Sequence, residues 1–77
     1  MSNSLLKALA YLQKEQKLIS YEKLIELLKI DNSISFFINL SCSTVRIYSS
    51  RFNCHTYNVA FKEEDNDCLI IEKIIKL

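Results

Sequence analysis

Glycine and proline are both absent from this chain, and each absence closes off a class of reading. Without glycine there is no Gly-rich loop to cradle a phosphate. Without proline no turn is preset by a locked φ. Turns are therefore expected to fall to Asn, Asp and Ser, which best tolerate turn geometry after glycine. Negative charge is missing from a whole region: Ser33 to Lys62, "SISFFINLSCSTVRIYSSRFNCHTYNVAFK", holds no acidic residue. A formal net charge of +1 provides no global field to draw in nucleic acid or anionic lipid. Long apolar runs are lacking too. Lys7 interrupts the opening stretch, "ALA" comes too early to follow a signal-peptide core, and no run approaches the roughly 20 apolar residues that span a bilayer. A cytoplasmic location and no membrane partner are expected.

Close cysteine spacing is also absent. Cys42, Cys54 and Cys68 are odd in number and widely separated, which excludes a complete intramolecular disulfide framework and favours reduced thiols. They supply no CxxC half-site for zinc, even with His55 beside Cys54, and read as small buried hydrophobes. Cys54 and His55 are adjacent, so on a strand they point to opposite faces and form no nucleophile–base pair. Glu63, Glu64, Asp65 and Asp67 lack the glycine and the spaced bidentate glutamate of a calcium loop. Neither an enzyme nor a cofactor or metal is expected.

What is present is a globular composition, 49% hydrophobic and 25% charged over 77 residues. It reads as one domain, residues 1–77. A chain of this size buries only roughly 60% of the surface that its unfolded form exposes, so the stability margin is thin.

Leu5, Leu6, Leu9 and Leu12 recur at helical spacing, predicting a helix from Ser4 to about Lys17. In "SYEKLIELLKID", Ser20 is a fitting N-cap, Glu22 stands in the first turn, and Leu24, Ile25, Leu27 and Leu28 share one side, predicting a second helix to about Ile30. Only "KLIS" lies between them, which favours two packed helices. The period then changes from 3.6 to 2. Ile34, Phe36, Ile38 and Leu40 alternate with Ser35, Phe37, Asn39 and Ser41. Val45 and Ile47 alternate with Arg46 and Tyr48, and after "SSRFN" as a turn, Tyr57, Val59 and Phe61 alternate with Asn58 and Ala60. The acidic stretch "KEEDND" reads as the last turn. In the tail "CLIIEKIIKL" the pattern Ile70, Ile71, Ile74, Ile75 fits a helix capped by Asp65, Asn66 and Asp67, while its β-branched content fits a strand; the helix is preferred. The expected fold is α+β: an N-terminal two-helix hairpin packed on a small antiparallel β-meander, with a C-terminal amphipathic helix or strand.

If the alternating apolar residues of the meander face the helices, the opposite face carries Phe37, Asn39, Arg46, Tyr48, Thr56 and Asn58. The plain reading is a polar sheet surface. The functional one is a contact surface, because loss of charge with gain of Tyr, Phe and Arg marks interface cores. The expected function is a small protein-binding module, an inhibitor or regulator, docking its sheet face or edge on another protein or on a second copy of itself, with Phe37, Asn39, Arg46, Tyr48, Arg51 and Asn58 as contact residues.

The run "LLKALAYLQKEQKLISYEKLIELLKID" also resembles the first two helices of the winged helix-turn-helix fold. That resemblance implies a DNA-binding regulator as the alternative, with "NSISFFINLSCS" as recognition helix and the hairpin from Val45 to Phe61 as wing. Arg46, Arg51 and His55 would then approach phosphates, and Ser33, Ser35 and Asn39 bases.

Overall fold

The computed structural model describes residues 2–49 and 55–77. The elements run in the order α1 (Ser2–Glu15), β1 (Ile19–Ser20), α2 (Tyr21–Lys29), β2 (Ile34–Asn39), β3 (Thr44–Ser49), β4 (Thr56–Glu64) and β5 (Cys68–Lys76). The strands form one antiparallel sheet in the order β1-β5-β4-β3-β2. Most of the turn expected at "SSRFN", together with Arg51 and Cys54, lies outside the described residues.

Both helices present one apolar side to one face of this sheet. Leu5 and Leu9 of α1 and Leu24 and Leu28 of α2 are buried against Val45, Ile47, Val59, Phe61, Leu69 and Ile71. The Ser20 side chain accepts a 3.1 Å hydrogen bond from the Lys23 amide and caps α2, satisfying a donor that the first helical turn leaves orphaned. At the other end Asp31 turns the chain toward β2. Its Oδ1 accepts from the Ser33 amide at 2.9 Å and from the Ser33 hydroxyl at 2.7 Å.

The architecture is α+β, but the expected arrangement is overturned in three respects. First, "KLIS" is not merely a link between two packed helices. Ile19 and Ser20 pair with Leu69 and Cys68 as a short edge strand, so the helices are separated by a piece of the sheet. Second, the C-terminal segment is a strand rather than a helix, and the sheet has five strands instead of a three-stranded meander. Third, Ile34–Asn39 is a strand, so the recognition helix of the winged-helix outline is not formed there.

The tail misleads for a definite reason. Ala60 pairs with Lys73 and Phe61 with Ile71, so Glu72 is an extra residue in β5, a β-bulge. A bulge shifts the alternation by one, and Ile71 and Ile74 therefore return to the same face although three positions apart. Both pack on the core. The spacing that imitates a helix is that of a bulged strand. Asp65, Asn66 and Asp67, read both as a turn and as a helix cap, make the turn between β4 and β5 and cap no helix. Asn66 and Asp67 both hold positive φ, 63° and 59°, a conformation in which Asn and Asp are the favoured substitutes for glycine. Ser43 and Gln16 also hold positive φ, so one left-handed position falls to a residue outside the Asn, Asp and Ser group.

Candidate functional site

The helices cover only one face of the sheet. The pairing register then decides which side chains meet on the other. Phe37 stands opposite Arg46, Arg46 opposite Asn58, and Asn58 opposite Ile75. These four residues form a single row across β2, β3, β4 and β5. A second row places Ser35 opposite Tyr48 and Tyr48 opposite Thr56. A third places Asn39 beside Thr44, Ala60 and Lys73.

Four of the six contact residues expected from the sequence, Phe37, Arg46, Tyr48 and Asn58, thus share one neighbourhood. Phe37 is 62% exposed, Ile75 47% and Tyr48 42%. Arg46 is exposed and has no ion-pair partner among the described residues. Asn39 lies on the same face, but its Oδ1 accepts a 3.3 Å hydrogen bond from the Cys42 amide and serves the β2–β3 turn. Arg51 lies outside the described residues. Ile75 and Lys73 were not anticipated on this face, because a helical tail would have carried them elsewhere. The β-branched content of the tail was the signal that could have found them.

Chemically the face offers exposed Phe37, Tyr48 and Ile75, the Arg46 guanidinium without an ion-pair partner among the described residues, and the amide and hydroxyls of Asn58, Thr56 and Ser35. It can bury aromatic or aliphatic groups and hydrogen-bond a polar rim. Among the described residues no three His, Cys, Asp or Glu side chains gather to hold a metal. Cys42 is exposed in the β2–β3 turn and Cys68 is half-buried at the start of β5. His55 stacks edge-on against Tyr57, ring centroids 6.5 Å apart.

A second feature lies on the helix side, at the end of the sheet where β2 finishes. Tyr21, Ile25, Ile38, Leu40, Glu63 and Asp67 line an open cleft of about 450 Å³. The Tyr21 ring packs edge-on against Phe61 at 5.7 Å, and its amide donates to the Asp67 carbonyl at 3.0 Å. Burial pushes the Tyr21 phenol up to about 12, and the neighbouring Glu63 carboxylate and the charge of Asp67 push it the same way. The hydroxyl is buried and faces Glu63 outside hydrogen-bond geometry. Nothing in the cleft pairs a nucleophile with a base.

No described helix is long and apolar enough to cross a membrane. In comparisons with known proteins the chain matches no family model, no curated protein and no solved structure.

Proposed function

We propose that this chain is a small protein-binding module, a regulator or inhibitor, that docks its uncovered sheet face on another protein. The observation that supports this reading is the cross-strand row Phe37, Arg46, Asn58 and Ile75, with Tyr48 beside Arg46. Aromatic and aliphatic side chains beside an arginine without an ion-pair partner among the described residues, on a stretch from Ser33 to Lys62 that holds no acidic residue, make the composition of an interface core. Four strands hold these side chains, so binding requires little ordering of the surface beforehand. A module of this kind acts by occlusion, covering a partner's own contact surface, and needs no catalytic group.

The test is recovery of partners by the tagged protein from its source cells after nuclease treatment. A stoichiometric protein is expected. Arg46→Glu and Tyr48→Ala should each weaken its binding by at least about tenfold, as anchors of an interface do, while circular dichroism stays unchanged. A partner held equally well by both variants would sink the reading. Recovery of nucleic acid alone, lost on nuclease treatment and with steep salt dependence, would favour the DNA-binding alternative.

A further inference from the structure

The sheet ends differently at its two edges. At one, β1 covers Leu69 and Cys68 of β5. The rest of that strand carries Glu72, Lys73 and Lys76 and a bulge, and the Glu72 carbonyl is taken by the Gln13 side chain at 3.0 Å. Charges and bulges are the devices that keep sheet edges from pairing with other chains. At the other edge lies β2, "ISFFIN", without a charged residue and without a shift in its register. Among the described residues no strand pairs with its outer side.

The hydrogen-bond ladder shows which backbone groups face that open edge. The Ser49 amide donates to the His55 carbonyl at 3.0 Å, and the Phe61 amide to the Ser43 carbonyl at 3.0 Å. Odd-numbered residues of β3 therefore bond toward β4. In an antiparallel ladder alternate residues bond opposite neighbours, so Thr44, Arg46 and Tyr48 bond toward β2, where they stand opposite Asn39, Phe37 and Ser35. The backbone groups of Ile34, Phe36 and Ile38 are left pointing outward. The Ile34 amide is turned back onto the Asp31 carbonyl at 3.1 Å; those of Phe36 and Ile38 face the edge.

The geometry points to a second copy of this chain as the occupant: β2 pairs antiparallel with β2 of the second copy about a two-fold axis at Phe36, joining the two sheets into one. Three arguments select this partner. Two-fold pairing sets a strand against itself, and like charges directly opposite one another destabilise a sheet; β2 has none. Its flanks agree, because Asp31 of one copy comes to the end where the second copy has Leu40 and Ser41, and the two Asp31 carboxylates lie far apart. The register follows from the outward backbone groups. With Phe36 opposite Phe36 and Ile34 opposite Ile38, the two Phe36 residues exchange both backbone bonds and each Ile38 amide donates to an Ile34 carbonyl of the other copy, the Ile34 amide staying on Asp31, with Cα atoms about 5.5 Å apart.

The side chains agree as well. On the helix side Ile34, Phe36 and Ile38 meet their own kind, and the core continues past β2 beside the cleft of Tyr21, Ile25 and Leu40. On the outer side Phe37 comes opposite Ser35 of the second copy and diagonal to Phe37 of the second copy, within reach of an aromatic ring. That covers a side chain otherwise 62% exposed on an edge strand. Of the outer-face row this pairing takes Phe37 and leaves Arg46, Asn58 and Ile75 open.

The chain of 77 residues is short enough for chemical synthesis, which permits a methyl group on the Phe36 amide nitrogen. That removes one donor at the two-fold axis and leaves every side chain in place. Sedimentation equilibrium under reducing conditions, so that exposed Cys42 does not cross-link, should show the unmodified chain as a dimer that dissociates on dilution. Its Phe36 and Ile38 amides should exchange slowly in the dimer and rapidly in the monomer. Methylation at Phe36, and independently Ser35→Lys, should each weaken self-association by about tenfold or more with unchanged circular dichroism. A monomer at all concentrations with fast exchange at Phe36 and Ile38, or a dimer untouched by both changes, overturns the proposal. A dimer that recovers no protein partner leaves the pairing standing and counts only against the outer-face reading.

Discussion

The Gln13 side-chain amide donates a 3.0 Å hydrogen bond to the backbone carbonyl of Glu72, joining α1 to β5 across 59 positions of sequence. A bulge residue has no partner in the strand ladder, and the bond gives the extra carbonyl one. It also holds the helix over the point where β5 changes face, so that Leu69 and Ile71 before the bulge and Ile74 after it serve the same core.

Deleting Glu72 closes the bulge and keeps Ile71 and Ile74 on the core face, because the two then stand two positions apart in a regular strand. The deletion variant loses the bond from Gln13 and no core burial, so urea denaturation should show a loss of about 1 kcal/mol or less. Gln13→Ala removes the same exposed hydrogen bond and should cost a similar amount, about 1 kcal/mol or less. A loss of about 2 kcal/mol or more, the cost of exposing an apolar side chain of isoleucine size, would mean that Ile74 leaves the core and that Glu72 is not the extra residue.

Ser20 combines two duties. Its backbone lies in β1 and its side chain caps α2 through the Lys23 amide. Ser20→Ala removes only the cap and should cost about 1 kcal/mol, read as a lower midpoint in urea with unchanged slope. A larger loss with a changed slope would show that β1 had detached as well.

Leu9 is fully buried where α1 meets the sheet. Leu9→Ala should cost about 2–5 kcal/mol through lost burial and the cavity left behind. In a domain of this size total stability is of the order of 5–10 kcal/mol, so the variant should melt well below the parent in calorimetry. A shift of a degree or two would place Leu9 outside the core.

Tyr21 makes stability depend on alkaline pH. Its folded value is raised to about 12 from the ordinary 10, so the folded state favours the neutral phenol. The associated stability is fully present below pH 10 and is lost as pH rises from about 10 through about 12. Absorbance titration near 295 nm should show one tyrosine ionising late, at about 12 or together with unfolding, and Tyr21→Phe should remove that late step. A late step that persists in Tyr21→Phe would assign the shift to another tyrosine.

Local pattern determined a good part of this molecule. The alternation of Ile34 to Asn39 and of Val45 to Tyr48 names their strands and sorts Phe37, Arg46 and Tyr48 onto the face away from the core, because neighbours in an extended chain point to opposite sides whatever surrounds them. Ser20 and the leucines after it mark α2 just as locally. The tail could not be read in the same way, since the spacing of Ile71 and Ile74 suits a helix as well as a strand bulged at Glu72, and Asn66 and Asp67 suit a helix cap as well as a left-handed turn.

Tertiary structure alone decided that β1 and β5 join the sheet. Ile19 and Ser20 are too short a piece to show any period, and they become a strand only because Leu69 and Cys68 stand opposite them. Ile75 joins Phe37, Arg46 and Asn58 for the same reason, through pairings between segments far apart in the chain. Periodicity is a property of one segment, while strand order, register and an edge left open are set by where the shared core can be buried.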